Sequence, residues 1–303
     1  AKAMAAKTKD RVDPNQELIG QGIANIVESR VLEPVKEMCT TCHDKSWPQP
    51  VLSIYQTPHG NRADPRAPTC QSCHGESTGH QADPAGVHPD VDFGSKEHGD
   101  KDVSSLDLRT STCLTCHQTG LRMHWSGSIH QTQDVTCTNC HSVHTPHDPV
   151  LAKVTQPDVC FACHKTQRAQ IHRISTHPIL AGEMTCSDCH NPHGSPTEKL
   201  IRQASVNDNC YTCHAEKRGP FLFEHQPVRE NCLNCHQPHG SNYENLLKVA
   251  RPRLCHQCHA FAHGTGGFQR NNPGNAYVLQ NACGNCHSNI HGSNSPGGFF
   301  FLR

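Results

Sequence analysis

The 303-residue chain is polar and electrically balanced: 34% of its residues are hydrophobic, 5% are aromatic, and the formal net charge at pH 7 is +0. Its mean hydropathy is -0.65, and so polar a polypeptide buries too little apolar surface to offset the entropy of ordering on its own. Nothing in the charge indicates a nucleic-acid partner. No apolar run approaches the roughly 20 residues of a membrane-spanning helix.

Residues 1–38 form an N-terminal segment with a predicted helix. Asp13-Pro14 is typical of an N-cap followed by proline at the first helical position, and Glu33-Pro34 would end the helix. The apolar positions between them share one helical face: Ile19, Ile23, Ile26 and Val27. We expect this helix to pack over the first downstream site, and the alternative is a docking element for a partner.

From residue 39 onward, the pattern C-x-x-C-H occurs ten times and uses all twenty cysteines. It is the attachment sequence of c-type haem, in which two thiols bond the haem vinyl groups and the adjacent (proximal) His binds the iron. In chain order, motifs 1 to 10 contain the cysteines Cys39, Cys42, Cys70, Cys73, Cys113, Cys116, Cys137, Cys140, Cys160, Cys163, Cys186, Cys189, Cys210, Cys213, Cys232, Cys235, Cys255, Cys258, Cys283 and Cys286. Their proximal histidines are His43, His74, His117, His141, His164, His190, His214, His236, His259 and His287.

Two other uses of paired cysteines fit the sequence less well. Zinc ribbons also contain C-x-x-C pairs, but they do not require a His directly after every second Cys. A disulfide scaffold would not hold all pairs at one spacing. The sequence therefore predicts ten covalently attached haem c groups.

Ten large apolar macrocycles would supply the core that the polypeptide lacks. We expect a mostly irregular chain with short α-helices, folded as an elongated multihaem cytochrome c wire whose core is formed by ten haems. The 22 Gly and 21 Pro agree with a loop-rich chain. The haem propionates would make the holoprotein acidic.

The motifs of residues 39–303 fall into five two-haem units. The predicted units are 39–112, 113–159, 160–209, 210–254 and 255–303, and the last four begin at steps of 47, 50 and 45 residues. A period of this size is typical of a stacked array. An insertion, roughly Gln81 to Leu108, lengthens the first unit and is predicted to be a surface loop.

The second face of each iron decides between an electron carrier and an enzyme, because an open face permits chemistry on a substrate. A His recurs after each first and each second motif of a unit, which gives ten predicted distal ligands: His59, His80, His130, His144, His177, His193, His225, His239, His263 and His291. The remaining histidines break this pattern: His88, His98, His124, His147, His172 and, inside motif 9, His256. None of the four Met residues repeats with the motifs.

Spacing leaves open which distal His serves which iron. In motifs 6 and 8 a His follows the proximal His by three residues, as in His190-Asn-Pro-His193 and His236-Gln-Pro-His239. So short a segment cannot reach the opposite face of the same haem, so each of these residues must bind another haem. At the C-terminal end, Phe299 to Leu302 form an apolar tail that packs on the last haem or contacts a partner.

Three stretches resemble the MtrA/DmsE family of decahaem cytochromes: MTCSDCHNPHGS at 184–195, SVNDNCYTCHAEKRGP at 205–220 and HGSN at 291–294. The resemblance covers about residues 39–303 and departs in residues 1–38 and in the insertion. It implies bis-His ligation, with the distal ligands on the ten positions above. It also implies a haem wire that lies inside an outer-membrane β-barrel porin of the MtrB type. Its partners would then be a periplasmic cytochrome and an extracellular cytochrome or metal ions and minerals.

These observations predict an electron-transfer protein that is not an enzyme. It would conduct electrons between periplasm and cell exterior, in metal oxidation or reduction. The alternatives are a soluble periplasmic shuttle that feeds a terminal reductase and a multihaem reductase with an open iron. The chain begins Ala1-Lys2-Ala3-Met4. Because bacteria attach c-type haem outside the cytoplasm, we expect an export signal that was removed or left out, and a location in the periplasm or at the outer membrane.

Overall fold

The computed structural model describes residues 38–94, 103–259 and 282–302. Within these ranges regular structure is short, and the longest α-helix has nine residues. The α-helices are α1 Cys70–His74, α2 Thr78–Ala82, α3 Leu106–Leu114, α4 Ile129–Thr132, α5 Gln156–Phe161, α6 Lys165–Gln170, α7 Cys186–Cys189, α8 Val206–Tyr211, α9 Gln226–Glu230 and α10 Arg253–His256. The 3-10 helices are Met38–Thr41, Val51–Gln56, Pro58–Gly60, Gly120–Arg122, Cys137–Asn139, Glu198–Leu200, Ala215–Lys217, Cys232–Asn234, Glu244–Leu246, Cys283–Asn285 and Gly298–Phe300.

Extended backbone pairs only at isolated bridges in the described part of the chain. The predicted mostly irregular fold with short α-helices is therefore confirmed. Caps at the start of several motifs help to keep these helices short. Thr185 caps the first turn of motif 6 together with Asp188, and the chain turns extended again at His190. Equivalent caps precede motifs 2 and 4, at Thr69 and Thr136.

The chain divides into two compact units. The first comprises residues up to Cys160 together with Pro192–Gly194, and the second comprises Phe161–Asn191 and the chain from Ser195 onward. The predicted five-unit division of the sequence is a finer partition that these two units do not test.

Few side chains are buried in either unit. The buried hydrophobic residues of the described ranges are Val91, Trp125, Phe161, Ile171 and Leu247. No large side chain among the described residues is less than 2% exposed. The described ranges thus enclose little apolar volume of their own, as expected for a chain whose core is its cofactors.

The sequence repeat is visible as a repeated local structure. His190 bridges to Ile201, and His236 bridges to Leu247 in the same antiparallel manner. In both loops two consecutive residues have positive φ, at Lys199-Leu200 and at Asn245-Leu246. Motifs 6 and 8 are therefore followed by the same turn.

The insertion is more than a surface loop. Residues 83–94 are mostly exposed, but Val91 is buried, and the end of the insertion forms the start of α3. Residues 95–102 lie outside the described ranges. The same holds for the predicted N-terminal helix, for His98 and for His263. No described helix combines the length and the apolar character needed to cross a membrane.

Candidate haem-binding sites

Each motif folds as a helical turn that presents its three reactive side chains together. The backbone N–H of the proximal His donates to the carbonyl of the first Cys, for example from His190 to Cys186 at 3.0 Å and from His236 to Cys232 at 3.0 Å. Residues three and four apart lie on one face of a helical turn. Both thiols and the imidazole are therefore placed to hold one macrocycle.

Eight proximal histidines each face one predicted distal His, with ring centroids 5.8–6.4 Å apart. The pairs, proximal residue first, are His43 with His80, His74 with His144, His117 with His59, His141 with His193, His190 with His239, His214 with His177, His236 with His291 and His259 with His225. His164 and His287 are the other two proximal residues, and His130 and His263 are the other two predicted distal ones.

This separation fits one metal ion between two imidazoles. A metal–imidazole bond is about 2.0 Å long, so two imidazoles on opposite faces of one iron have ring centres about 6 Å apart. At one pair the coordinating atoms themselves face each other, because Nε2 of His59 and Nε2 of His117 are 3.5 Å apart. The residues present therefore fit a haem iron with a His on each face.

The ligands of a pair come from different parts of the repeat. His239 directly follows motif 8, yet it faces His190 of motif 6. His225 follows motif 7 and faces His259 of motif 9. A distal His that lies three residues after one proximal His is therefore placed opposite the proximal His of a different motif. These pairs connect successive two-haem units of the sequence.

Hydrogen bonds made by Nδ1, the ring nitrogen that would not bind the iron, orient many of these imidazoles. The Nδ1 of eight predicted ligands lies 2.6–3.0 Å from a backbone carbonyl oxygen: His74, His80, His130, His177, His190, His225, His236 and His287. A carbonyl only accepts, so Nδ1 carries the proton and Nε2 keeps its lone pair for a metal. Such a second bond is characteristic of metal-binding histidines.

Three of these bonds recur in register with the repeat. His130, His177 and His225 donate to the carbonyls of Pro192, Pro238 and Ile290. The three donors follow the first motif of a unit. Each acceptor directly precedes a distal His that follows a second motif, namely His193, His239 and His291. One distal ligand therefore fixes the backbone that carries the next.

Burial keeps five of the distal imidazoles neutral. It is the largest cause that lowers the pKa of His193 to about 4, with the charges of His141, Arg122 and His130 adding to it. Burial also lowers the pKa of His144, His225, His239 and His291. Neutral imidazole is the form that binds a metal.

A glycine follows five of the predicted distal histidines, and at three of these glycines the backbone has positive φ. Gly194, Gly240 and Gly292 have φ values of +114°, +138° and +142°. A Cβ at Gly240 would collide with the Gln170 carbonyl, and one at Gly194 would collide with the His124 carbonyl. At these three positions the His-Gly dipeptide therefore marks a candidate ligand held on a tightly packed turn.

The thiols of consecutive motifs lie close together. The thiols of Cys137 and Cys232 raise the pKa of Cys113 and of Cys210, and burial together with the thiol of Cys283 raises the pKa of Cys255. In the unattached thiols, the interaction with Cys113 and with Cys210 lowers the pKa of Cys137 and of Cys232 to about 7. Because each thiol is where a haem edge is attached, neighbouring haems of such a pair would have their edges close.

Several residues of the sites escaped sequence reasoning. Asn207, buried at the base of motif 7, donates to the Val228 and Arg229 carbonyls and accepts from the Cys232 backbone N–H. Asp148 accepts a hydrogen bond from proximal His141. Neither residue belongs to a motif, so only its position in three dimensions identifies it.

The apolar tail packs in part on the last sites. The Phe300 carbonyl accepts a hydrogen bond from Nδ1 of His287, and the Phe301 ring lies 5.3 Å from the ring of His225. The side chains of Phe299 and Phe300 remain 68% and 56% exposed. The tail thus supports two candidate ligands and still presents an apolar surface.

Comparison with known proteins agrees with this geometry. A family model described as a doubled CXXCH motif matches residues 177–219 and 225–264. A model described as cytochrome c-type protein NrfB-like matches residues 70–156. The multihaem cytochrome MtrA of Shewanella baltica is 44% identical over 278 residues, which cover 88% of this chain and 81% of that protein.

The chain belongs to the MtrA family of multihaem cytochromes. It binds haem c covalently through its C-x-x-C-H motifs, and it is an electron-transfer protein rather than an enzyme. More distant similarity is to the cytochrome c-type protein NrfB of Escherichia coli, 27% identical over 128 residues that cover 36% of this chain and 66% of that protein. NrfB of Haemophilus influenzae is 28% identical over 110 residues, which cover 35% of this chain and 45% of that protein.

Proposed function

We propose that the chain carries ten haem c groups, each ligated by one proximal and one distal His. The eight imidazole pairs support this assignment, since their ring centroids are separated by the distance that one iron needs. We extend the distal role to His130 and His263. The Nδ1 bond of His130 matches those of His177 and His225, and His263 occupies the corresponding place in the sequence repeat.

With both iron faces closed by His, the chain passes electrons and binds no substrate at iron. The order of the motifs supports a series of neighbouring carriers. In the second compact unit the Cys189 thiol interacts electrostatically with Cys213, and the Cys235 thiol interacts with Cys258. Together with the interacting thiols of motifs 7 and 8 and of motifs 9 and 10, these neighbouring thiols support a succession of haems at motifs 6 to 10.

We infer that this succession conducts electrons between the periplasm and the cell exterior through an outer-membrane porin of the MtrB type. Membership of the MtrA family carries this inference. A periplasmic cytochrome would exchange electrons with one end. An extracellular cytochrome, or metal ions and minerals, would exchange them with the other, in Fe(II) oxidation or metal reduction. The protein would then reside in the periplasm and at the outer membrane.

Fractionation of native cells tests this placement. Membranes are washed at high salt, and covalent haem is followed in the washed outer membrane and in the soluble periplasmic fraction. A conduit stays with the outer membrane and copurifies with a porin. A cytochrome that washes entirely into the periplasmic fraction is a soluble shuttle that feeds a terminal reductase, and the conduit proposal is then wrong.

A further inference from the structure

One proximal imidazole donates to a carboxylate. Nδ1 of His141, in motif 4, lies 2.6 Å from Oδ2 of Asp148. An ionised carboxylate only accepts hydrogen bonds, so Nδ1–H is the donor. The ring centroid of the His141 imidazole lies 6.0 Å from that of His193.

The corresponding second motifs of other predicted units use a neutral acceptor. His74, His190, His236 and His287 donate to the backbone carbonyls of Val91, Lys199, Asn245 and Phe300 at 2.6–3.0 Å. Among the second motifs of the five units, His141 is thus the one that bonds a full negative charge. The five imidazoles differ in the acceptor of their Nδ1–H bond and not in their motif, because all five belong to the same C-x-x-C-H pattern.

Asp148 is held in place by its own contacts. Its side chain is only 14% exposed, compared with 33% for His141. Its other oxygen, Oδ1, accepts from the backbone N–H groups of Ser142 at 3.2 Å and Val150 at 3.3 Å. The carboxylate therefore cannot rotate away from His141 without breaking the turn that joins residues 142 and 150.

We propose that Asp148 lowers the reduction potential of the haem at motif 4 below that of the haems whose proximal imidazoles donate to carbonyls. The proposal rests on the proposed role of His141 as an axial ligand. A carboxylate that accepts the Nδ1–H bond makes the imidazole a stronger electron donor. Its negative charge also favours oxidised iron, which carries one more positive charge than reduced iron.

The consequence is an uneven energy profile along the series of haems. The haem held by His141 is the last to be reduced and the first to be oxidised among the otherwise similar second-motif sites. An electron that passes along the series in either direction must therefore be transferred to a haem of lower reduction potential at this point, which is energetically unfavourable. Asp148 is a positioning and tuning residue, since it acts on the iron through His141.

Potentiometric titration of the purified holoprotein tests the proposal, with Asp148→Asn as the variant. The amide oxygen can keep the backbone bonds of the turn, as Asn139 does when it caps Thr136 in the same motif. The charge beside Nδ1 is lost. We expect one tenth of the total absorbance change to move to higher potential, while the haem content and the low-spin spectrum stay as in the wild type.

Asp188→Asn is the matched control. Asp188 caps motif 6 through Thr185 in the way that Asn139 caps motif 4, and its carboxylate accepts from the backbone N–H and the hydroxyl of Thr185. Asp148→Glu keeps a carboxylate and is expected to retain the low reduction potential. It replaces Asp148→Asn as the test if the Asn variant yields no holoprotein. An Asp148→Asn titration that matches the wild type, or equal shifts in both Asn variants, overturns the tuning role. A high-spin signal in the wild type would instead overturn the proposed ligation.

Discussion

The rings of His141 and His193 lie with their centroids 6.0 Å apart and their planes 9° from parallel. His141 belongs to motif 4, whereas His193 follows motif 6. One candidate site is therefore closed by residues from two successive predicted units. The same arrangement recurs at His190 and His239, so loss of a single distal ligand should affect one haem without preventing attachment of the others.

Replacement of His193 by Met tests this relationship. The variant keeps every attachment cysteine, so we expect ten covalent haems, with one site converted to His/Met ligation and raised in potential. Redox titration with absorbance detection measures the change. His172→Met serves as control, because His172 is exposed and is not a predicted ligand. A His193→Met titration that matches the wild type would remove His193 from the set of ligands.

Replacement of Gly240 by Ala tests the packing of a distal ligand. The residue has φ +138°, and the new methyl group would meet the Gln170 carbonyl. We expect the free energy of unfolding of the holoprotein to fall by about 1–3 kcal/mol, with some high-spin iron from displaced His239. Gly120→Ala is the matched control, since φ is +66° there and the added Cβ would have no other atom within 4 Å. Equal losses in both variants would show that only backbone strain matters.

Asn207 is expected to matter more for stability than an exposed Asn nearby. Its amide bonds two carbonyls and one backbone N–H, and truncation to Ala would remove these three part-buried hydrogen bonds. We expect a loss of about 1–3 kcal/mol in denaturant unfolding. Asn234→Ala, which removes one exposed bond to the Pro227 carbonyl, should cost less. Similar losses from the two variants would contradict the bracing role of Asn207.

The polypeptide is expected not to fold without haem. The described ranges contain five buried hydrophobic residues, from Val91 to Leu247, which is too little apolar burial for ranges of this length. Expression without haem attachment should give a chain that is digested rapidly by protease and shows no cooperative thermal transition. A sharp transition in the haem-free chain would show that the polypeptide forms a sufficient core itself.

Much of the fold and of the candidate site follows from local sequence. The C-x-x-C-H motifs specify their own helical turns, and polar, Gly- and Pro-rich segments between them predict short helices in an irregular chain. The distal candidates are also visible, because His193 and His239 recur with the unit period. These features depend on residues close together in the chain, which is why periodicity detects them.

What escaped prediction depends on how distant segments meet. Spacing could not assign His239 to His190, since the two belong to different predicted units. The acceptors of the Nδ1 bonds are mostly backbone carbonyls, such as that of Lys199, and any residue type supplies one. Val91 shows the same limit: it lies in a segment predicted as a surface loop, yet its carbonyl orients His74.

The proposed ligation places every iron between two imidazoles, and a single spectroscopic experiment can decide whether it does. Electron paramagnetic resonance spectra of the oxidised holoprotein are integrated against the number of haems per chain. We expect ten haems per chain and low-spin ferric signals alone, unchanged by added small iron ligands such as cyanide. A high-spin signal from one or more haems, or fewer than ten haems per chain, would show that this ligation is wrong.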